Sequence, residues 1–362
     1  MTAPLLHHRL AAVSRPIPQR IAIVTDAWAP QVNGVVRTLA TTIDILRGRG
    51  HEVLTITPER FRSLPCPTYP EIRLALANTR AVTRHLESFA PDAIHIATEG
   101  PLGLAARRLC VARQWPFTTA YHTQFPAYLA RRTGLPEALF WRYIRWFHGP
   151  AAQVMVATPS IEAELAGQGL SQVHRWSRGV DLVQFAPDAE PPSEFAALER
   201  PIQLYVGRVA VEKNVEAFLG SGRPGSKVVV GDGPALAALK ARFPNVLFLG
   251  RRDGPALAGC YAGADVLVFP SRTDTFGLVI VEALACGTPV AAYPVAGPID
   301  IVTEASGALS ENLDRAIDAA LFCKRADCAA RGREFSWDAA TDQFVAGLVS
   351  LPAALGVPQR LP

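Results

Sequence analysis

The sequence predicts an α/β protein built from two doubly wound parallel sheets in succession. Three observations point there. Short apolar runs alternate with stretches of helical periodicity, a proline-rich acidic segment interrupts the alternation midway, and the alternation then starts again. A length of 362 residues suffices for two domains, each with its own core.

In chain order, residues 1–20 read as a loose extension. Ile21–Thr25 is the first apolar run, and a turn separates it from a helical stretch over Val35–Arg49. Gly50-His51-Glu52 then introduces Val53–Thr57. Ala93–Ala97, Phe117–Ala120 and Val154–Ala157 are further compact runs. Ala186–Pro201 is rich in proline and acid and reads as a linker, which places the first domain at 21–185 and the linker at 186–200. Strand signals resume at Ile202–Val206, Lys227–Gly231, Val246–Leu249, Val266–Phe269 and Pro289–Ala292, giving a second domain over 201–336. Trp337–Leu348 is a strong helix with no strand after it, so its docking site is open. It begins a closing segment, 337–362.

The bulk numbers bound the class. With 49% hydrophobic and 19% charged residues the chain is globular and not disordered. No apolar stretch is long enough to span a bilayer and the N-terminus lacks a signal-peptide core, so the expectation is a cytoplasmic protein. Six scattered cysteines without a CxxC pair argue against a zinc site or a disulfide framework and for reduced thiols. The net charge of +4 is unevenly shared: residues 1–180 carry 20 arginines, no lysine and 11 acids, whereas residues 181–362 carry 16 basic and 21 acidic residues. A basic first half suits an anionic partner such as a phospholipid surface or an anionic substrate. Scattered solvated arginines are the plainer alternative. The arginines form no compact run, so nucleic acid is not the expected partner.

The most informative stretch is Gly277–Gly287, a helix apolar on every side and therefore buried, with Glu282 embedded in it. An unpaired buried carboxylate is costly, so Glu282 requires a hydrogen-bonding partner. A second carboxylate, Asp274, stands eight residues upstream. Gly277 opens the helix, where free amides and the helix dipole favour an anion. A helix start for phosphate, one carboxylate for ribose hydroxyls and another for a sugar together describe a nucleotide-sugar site.

In open α/β sheets ligands bind beyond the carboxyl ends of the strands, and that rule selects the other residues to weigh. Arg208 and Lys213 follow Ile202–Val206, where two cations could clamp a diphosphate or simply be solvated. Gly231-Asp232-Gly233-Pro234 is a turn without the third glycine of a dinucleotide fingerprint. His122 follows Phe117–Ala120 and could donate to a phosphate or sugar oxygen, or be structural. Asn33-Gly34 permits a tight turn that brings amides close to a ligand, or is a bare loop. There is no Asp-x-Asp pair for a divalent metal, no GxSxG elbow and no Walker loop.

Taken in order, these stretches resemble a retaining glycosyltransferase of family 4 with the two-domain GT-B fold. In that fold two Rossmann-like domains face a cleft and a C-terminal helix crosses back to the N-terminal domain. The resemblance runs from Ile21 to about Leu348. It is most specific at Gly207–Asn214, Gly231–Pro234 and Asp274–Val290, with Arg178-Gly179-Val180-Asp181 and Phe335-Ser336-Trp337 adding to it. It implies that Arg208 and Lys213 hold the donor diphosphate and neutralise the leaving nucleotide. Asp274 occupies the first position of the family's Glu-x7-Glu pair and would bond donor-sugar hydroxyls, although it is one methylene shorter than the usual glutamate. Backbone amides near Phe276, Gly277 and Leu278 would contact sugar and phosphate, with Gly231 also lining the donor site. Glu282 would bond the ribose, His122 would lie near the reacting centre, and Gly34 would sit over the phosphates. No cofactor or metal is implied.

Pro30–Arg37 and Tyr121–Pro126 resemble stretches of two bacterial groups, the GDP-mannose-dependent α-mannosyltransferases and the glycosyltransferases of diacylglycerol. The resemblance thus implies a hexosyltransferase that uses a GDP- or UDP-linked sugar and a lipid or glycan acceptor. Aromatics and arginines interleaved over Phe140–His148 suit peripheral contact with the inner membrane face, or packing on the sheet. The alternatives are a nucleotide-sugar epimerase of the same fold, which would form product without an acceptor, and a binding protein that has lost its chemistry.

Overall fold

The computed structural model describes residues 19–31, 33–65 and 73–352. Most of the expected N-terminal extension, Val32, Cys66 and the end of the closing segment lie outside them. The first half holds strands at Arg20–Val24 (β1), Glu52–Ile56 (β2), Ser63–Pro65 (β3), Arg73–Ala75 (β4), Ala93–Ile96 (β5), Thr118–Ala120 (β6), Gln153–Val156 (β7) and Val173–Arg175 (β8). Six of them form one parallel sheet in the order β2-β1-β5-β6-β7-β8, and β3 and β4 pair separately as an antiparallel hairpin. The second half holds Ile202–Val206 (β9), Ser226–Val230 (β10), Leu247–Gly250 (β11), Val266–Phe269 (β12), Val290–Ala292 (β13) and Gly307–Leu309 (β14). Their order is β11-β10-β9-β12-β13-β14, all parallel.

The central strands are rich in apolar residues and buried because helices cover both faces of each sheet. Ile21–Val24 and Ile202–Val206 are buried along their whole length. Each sheet has its own cores. Val24, Ile96 and Phe117 belong to one in the first sheet, and Leu204, Val230 and Leu267 to one in the second. Strand order reverses between β1 and β5 in the first sheet and between β9 and β12 in the second, and these are the switch points beyond which ligands bind.

One boundary needs correction. β1 begins at Arg20, inside the stretch read as loose extension, because Asp92 accepts from the amides of Gln19 (3.0 Å) and Arg20 (2.8 Å). The edge strands β8 and β14 and the β3–β4 hairpin carry no strong sequence signal. Residues of β8 are only half-buried, and an edge position needs no long apolar run.

The last helix, Trp337–Gly347, docks on the first sheet, not on the second that precedes it. Its N-cap is Ser336, whose Oγ accepts from the amide of Ala339 at 3.1 Å. Phe344 is fully buried with Ile21, Ile23 and Met155. Gln343 accepts through its backbone oxygen from His174 (2.8 Å) and through its side chain from the amide of Ser177 (2.7 Å). Arg49 pairs with Asp338 and Asp342. The helix therefore crosses back to the N-terminal half. Among the described residues, no helix is long and apolar enough to cross a membrane, and the five cysteines among them are free.

Candidate active site between the two sheets

The buried helix forms as expected, over Leu278–Ala285, with every residue from Ile280 to Ala285 buried. It is apolar all round because it packs beneath β12 and against the helices Gly254–Gly263 and Arg325–Gly332. Gly277 precedes it with φ of +91°, a conformation that favours glycine. The amides of Gly277 and Leu278 open the helix and have no intrahelical carbonyl to bond.

Glu282, 2% exposed, finds two partners. Its Oε2 accepts from the Tyr261 hydroxyl at 2.8 Å. Its Oε1 pairs with the guanidinium of Arg37, which comes from the other half of the molecule. Burial pushes the carboxyl above its ordinary range, and the Arg37 charge and the Tyr261 bond hold that rise back. Arg37 sits in the first turn of the helix Gly34–Gly48, capped by Asn33, whose Oδ1 accepts from Val36 at 3.0 Å. The N-termini of two helices thus face each other across the cleft. A Cβ added to Gly34 would lie 3.6 Å from Leu278 Cδ1.

Lys213 ends a short 3-10 turn after β9 and donates to Asp274 Oδ2 at 2.9 Å. Asp274 Oδ1 accepts from the amides of Thr275 (2.9 Å) and Phe276 (3.2 Å), closing a turn ahead of the helix. Burial would raise the Asp274 carboxyl, but Lys213 and these amides outweigh it and leave the pKa below the ordinary value. Asn214 donates to the carbonyl of Pro270 at 3.1 Å, tying the loop after β9 to the loop after β12. Arg208, half-buried, stands on the Lys213 loop. Its carbonyl accepts from Tyr205 at 2.7 Å. Gly231 braces this loop from the end of β10. A Cβ there would meet the Gly207 carbonyl oxygen at 1.9 Å, so only glycine lets the two backbones pack.

His122, beyond β6, is 9% exposed and ties the halves together through its carbonyl, which accepts from Thr275 Oγ1 at 2.6 Å. Its Nδ1 lies 2.9 Å from Arg178 Nη2, and its Nε2 is buried without a partner among the described residues. Burial, then Arg178, His95 and His148, push its pKa well below the usual histidine range, so the ring is neutral. Ser160 and Asp300 add another contact across the cleft, the amide donating at 3.1 Å.

The structure therefore gathers Gly34, His122, Lys213, Asp274, Phe276, Gly277, Leu278 and Glu282 along one cleft, with Arg208 and Gly231 on the adjoining strand-end loops. Residue-by-residue reading gave no role to Arg37, Tyr261, Thr275 or the Arg178 side chain. Only the requirement that Glu282 have a partner signalled any of them.

Two family models match consecutive parts of the chain: Glycosyltransferase Family 4 over residues 32–184 and Glycosyl transferases group 1 over residues 200–323. The chain is 35% identical over 312 residues to a GDP-mannose-dependent alpha-mannosyltransferase of Mycobacterium tuberculosis, covering 78% of this chain and 81% of that protein. The chain belongs to glycosyltransferase family 4. This hexosyltransferase is also 26% identical to the alpha-monoglucosyldiacylglycerol synthase of Streptococcus pneumoniae, over 76% of this chain and 71% of that protein. Among solved structures, the sucrose-phosphate synthase of Thermosynechococcus elongatus superimposes with a TM-score of 0.73 at 23% identity, covering 90% of this chain and 97% of that one. That likeness shows the fold, the two facing Rossmann-like domains of GT-B enzymes. Nothing in these comparisons favours an epimerase or an inactive binding protein.

Proposed function

We propose that this glycosyltransferase moves mannose from GDP-mannose to a hydroxyl of a lipid or glycan acceptor, with retention of configuration and without a divalent metal. In this reading residues 21–185 bind the acceptor, 186–200 link the halves, and 201–336 bind the donor under the closing segment 337–362. The observation that carries it is the Lys213–Asp274–Glu282 line along the cleft, beside the start of the helix Leu278–Ala285.

Each residue has a role that its geometry supports. Glu282 accepts from the ribose hydroxyls once Arg37 gives way. Lys213 and Arg208 neutralise the diphosphate as the glycosidic bond breaks, aided by the amides of Gly277 and Leu278 and the helix dipole. Asp274, held by Lys213 and two amides, accepts from sugar hydroxyls. His122 donates from Nε2 towards the sugar, and Gly34 lets the opposite helix start approach the phosphates. A donor phosphate oxygen takes the acceptor proton, and the enzyme aligns the two substrates on one face. Charge neutralisation by cationic side chains takes the place of a metal.

A lipid acceptor suits the helix Glu137–His148. Trp141, Ile144 and Phe147 pack inward, while Leu139, Tyr143 and Trp146 stand exposed beside Arg142 and Arg145. Such a face suits peripheral contact with an anionic cytoplasmic leaflet. The name of the S. pneumoniae relative, a diacylglycerol glycoside synthase, supports the same class.

The test is thermal unfolding with GDP, UDP and ADP, each with EDTA, followed by transfer from the selected donor. A ligand at one hundred times its Kd adds about 2.7 kcal/mol, a shift of several degrees at roughly 2–4 °C per kcal/mol. A GDP-selective shift is expected. A UDP-selective shift would replace the donor, and no shift with any nucleotide would overturn the site.

A further inference from the structure

His122 reaches the cleft, but its carbonyl and ring are both already held by the protein, and the partner on the ring has a consequence for the chemistry. Arg178 Nη2 lies 2.9 Å from His122 Nδ1. A guanidinium only donates, so Nδ1 must be the unprotonated nitrogen, and a neutral imidazole then carries its proton on Nε2. That Nε2 is buried and has no partner among the described residues.

We propose that Arg178 is a positioning residue: its hydrogen bond to Nδ1 locks His122 as the Nε2–H tautomer, which presents a single donor, and no base, to the reacting sugar. The proposal rests on the placement of His122 at the reacting centre given above.

The lock is rigid because Arg178 cannot turn away. Nη1 donates to the carbonyls of Trp176 (2.5 Å) and Ser177 (3.0 Å), and the guanidinium lies 4.4 Å from the Trp176 ring centroid. His122 meets the same ring edge-on at 5.5 Å, so Trp176 supports both partners. Trp176 is fully buried and packs in turn on Phe344 of the closing helix at 4.7 Å. On its other side His122 is tied through its carbonyl to Thr275, the neighbour of Asp274. The donor is therefore aimed from a fixed frame.

The charge arrangement serves the same end. Arg178 is 5% exposed, and among the described residues no carboxylate forms an ion pair with it. The cation is thus directed at the imidazole and opposes its protonation. Among the described residues, the other titratable groups that act on the His122 ring are His95 and His148. His95 is fully buried and held down to a pKa of about 3, so it adds no charge near neutrality. His148 is buried against Glu99 and Thr119. A histidine so surrounded neither accepts the acceptor's proton nor becomes an imidazolium, which leaves the proton to the departing phosphate.

Nitrogen-15 NMR of the histidine-labelled full chain tests this, with His122 assigned by its loss in His122→Gln. The wild type should show a protonated Nε2 and a bare Nδ1, unchanged from pH 5 to 8. Arg178→Met should release the lock, so that His122 populates the Nδ1–H form and titrates. Its kcat should fall about tenfold, the loss expected for one hydrogen bond, with little change in donor KM and with a new acidic limb in the pH profile. Arg178→Lys, still donor-only, should keep the wild-type tautomer. His122→Gln, whose amide can donate from a similar position, should retain more transfer than His122→Ala. A protonated Nδ1 in the wild type, or an Arg178→Met variant with the wild-type tautomer and pH profile, would overturn the proposal. If Arg178→Met does not fold, the wild-type and Arg178→Lys spectra decide it. A locked tautomer together with full transfer by His122→Ala would uphold the lock and remove His122 from the reacting centre.

Discussion

Asp274 carries two separable interactions, and two substitutions take them apart. Oδ1 accepts from the amides of Thr275 and Phe276, and Oδ2 accepts from Lys213 at 2.9 Å. Asn keeps a carbonyl oxygen for the amides and loses the ion pair, whereas Ala loses both. The Asp274 and Lys213 side chains are 19% and 30% exposed, so water screens the pair only partly. Losing it should cost about 1–2 kcal/mol, above an exposed pair and below a fully buried one. Losing the turn bonds should cost about 1 kcal/mol more. At pH 7 the order is therefore wild type, Asp274→Asn, Asp274→Ala, with steps readable in urea unfolding. The pH dependence has a definite sign. The folded carboxyl titrates below its ordinary value, so near pH 4 the unfolded chain binds more protons than the folded one. Its stabilisation is complete above the unfolded value of about 3.9 and fades as pH falls through the lowered folded value. The gap between wild type and Asp274→Asn should be constant from pH 7 to about 5 and narrow below about 4. A gap that persists undiminished into acid would refute the charge argument. Equal instability of Asn and Ala would refute the turn argument.

Three further outcomes follow from the same geometry. Lys213→Ala should lower kcat by about 10²–10³-fold, the scale for removing a preorganised charge-stabilising group, while circular dichroism stays native; wild-type turnover would remove Lys213 from the diphosphate site. Tyr261→Phe should cost about 1–3 kcal/mol of stability, because Glu282 Oε2 loses its hydroxyl donor in a buried setting, and an unchanged unfolding midpoint would contradict this. A Leu139→Ser, Trp146→Ser double variant should sediment less with phosphatidylglycerol vesicles than the wild type yet transfer normally to a water-soluble acceptor. Equal sedimentation would dismiss this helix as the membrane face.

Much of the fold was legible because it follows from local periodicity. Ile202–Val206 and Val266–Phe269 are strands over the residues read from the sequence, since both faces are covered and the runs are apolar but for Gln203, whose buried amide donates to the carbonyl of Pro224 at 2.8 Å. β8 and β14 went unread because edge strands need less apolar surface. The helix Val215–Leu219 is short because Gly220–Ser226, with three glycines and a proline, leaves little room for a longer one. In the site, Glu282 announced its need for a partner by standing in an apolar helix.

The sequence by itself determined the alternating elements, the restart after the proline-rich segment, and the residue types at the strand ends where a nucleotide sugar would meet cations and carboxylates. These depend on backbone preference and burial period, which act within a few residues. Only the tertiary structure decided that Glu282 pairs with Arg37, 245 positions away in the chain, that the last helix returns to the first sheet, and that Arg178 dictates which nitrogen of His122 bears the proton. Such contacts arise where two sheets face each other, and no local pattern encodes the direction from which a partner will arrive.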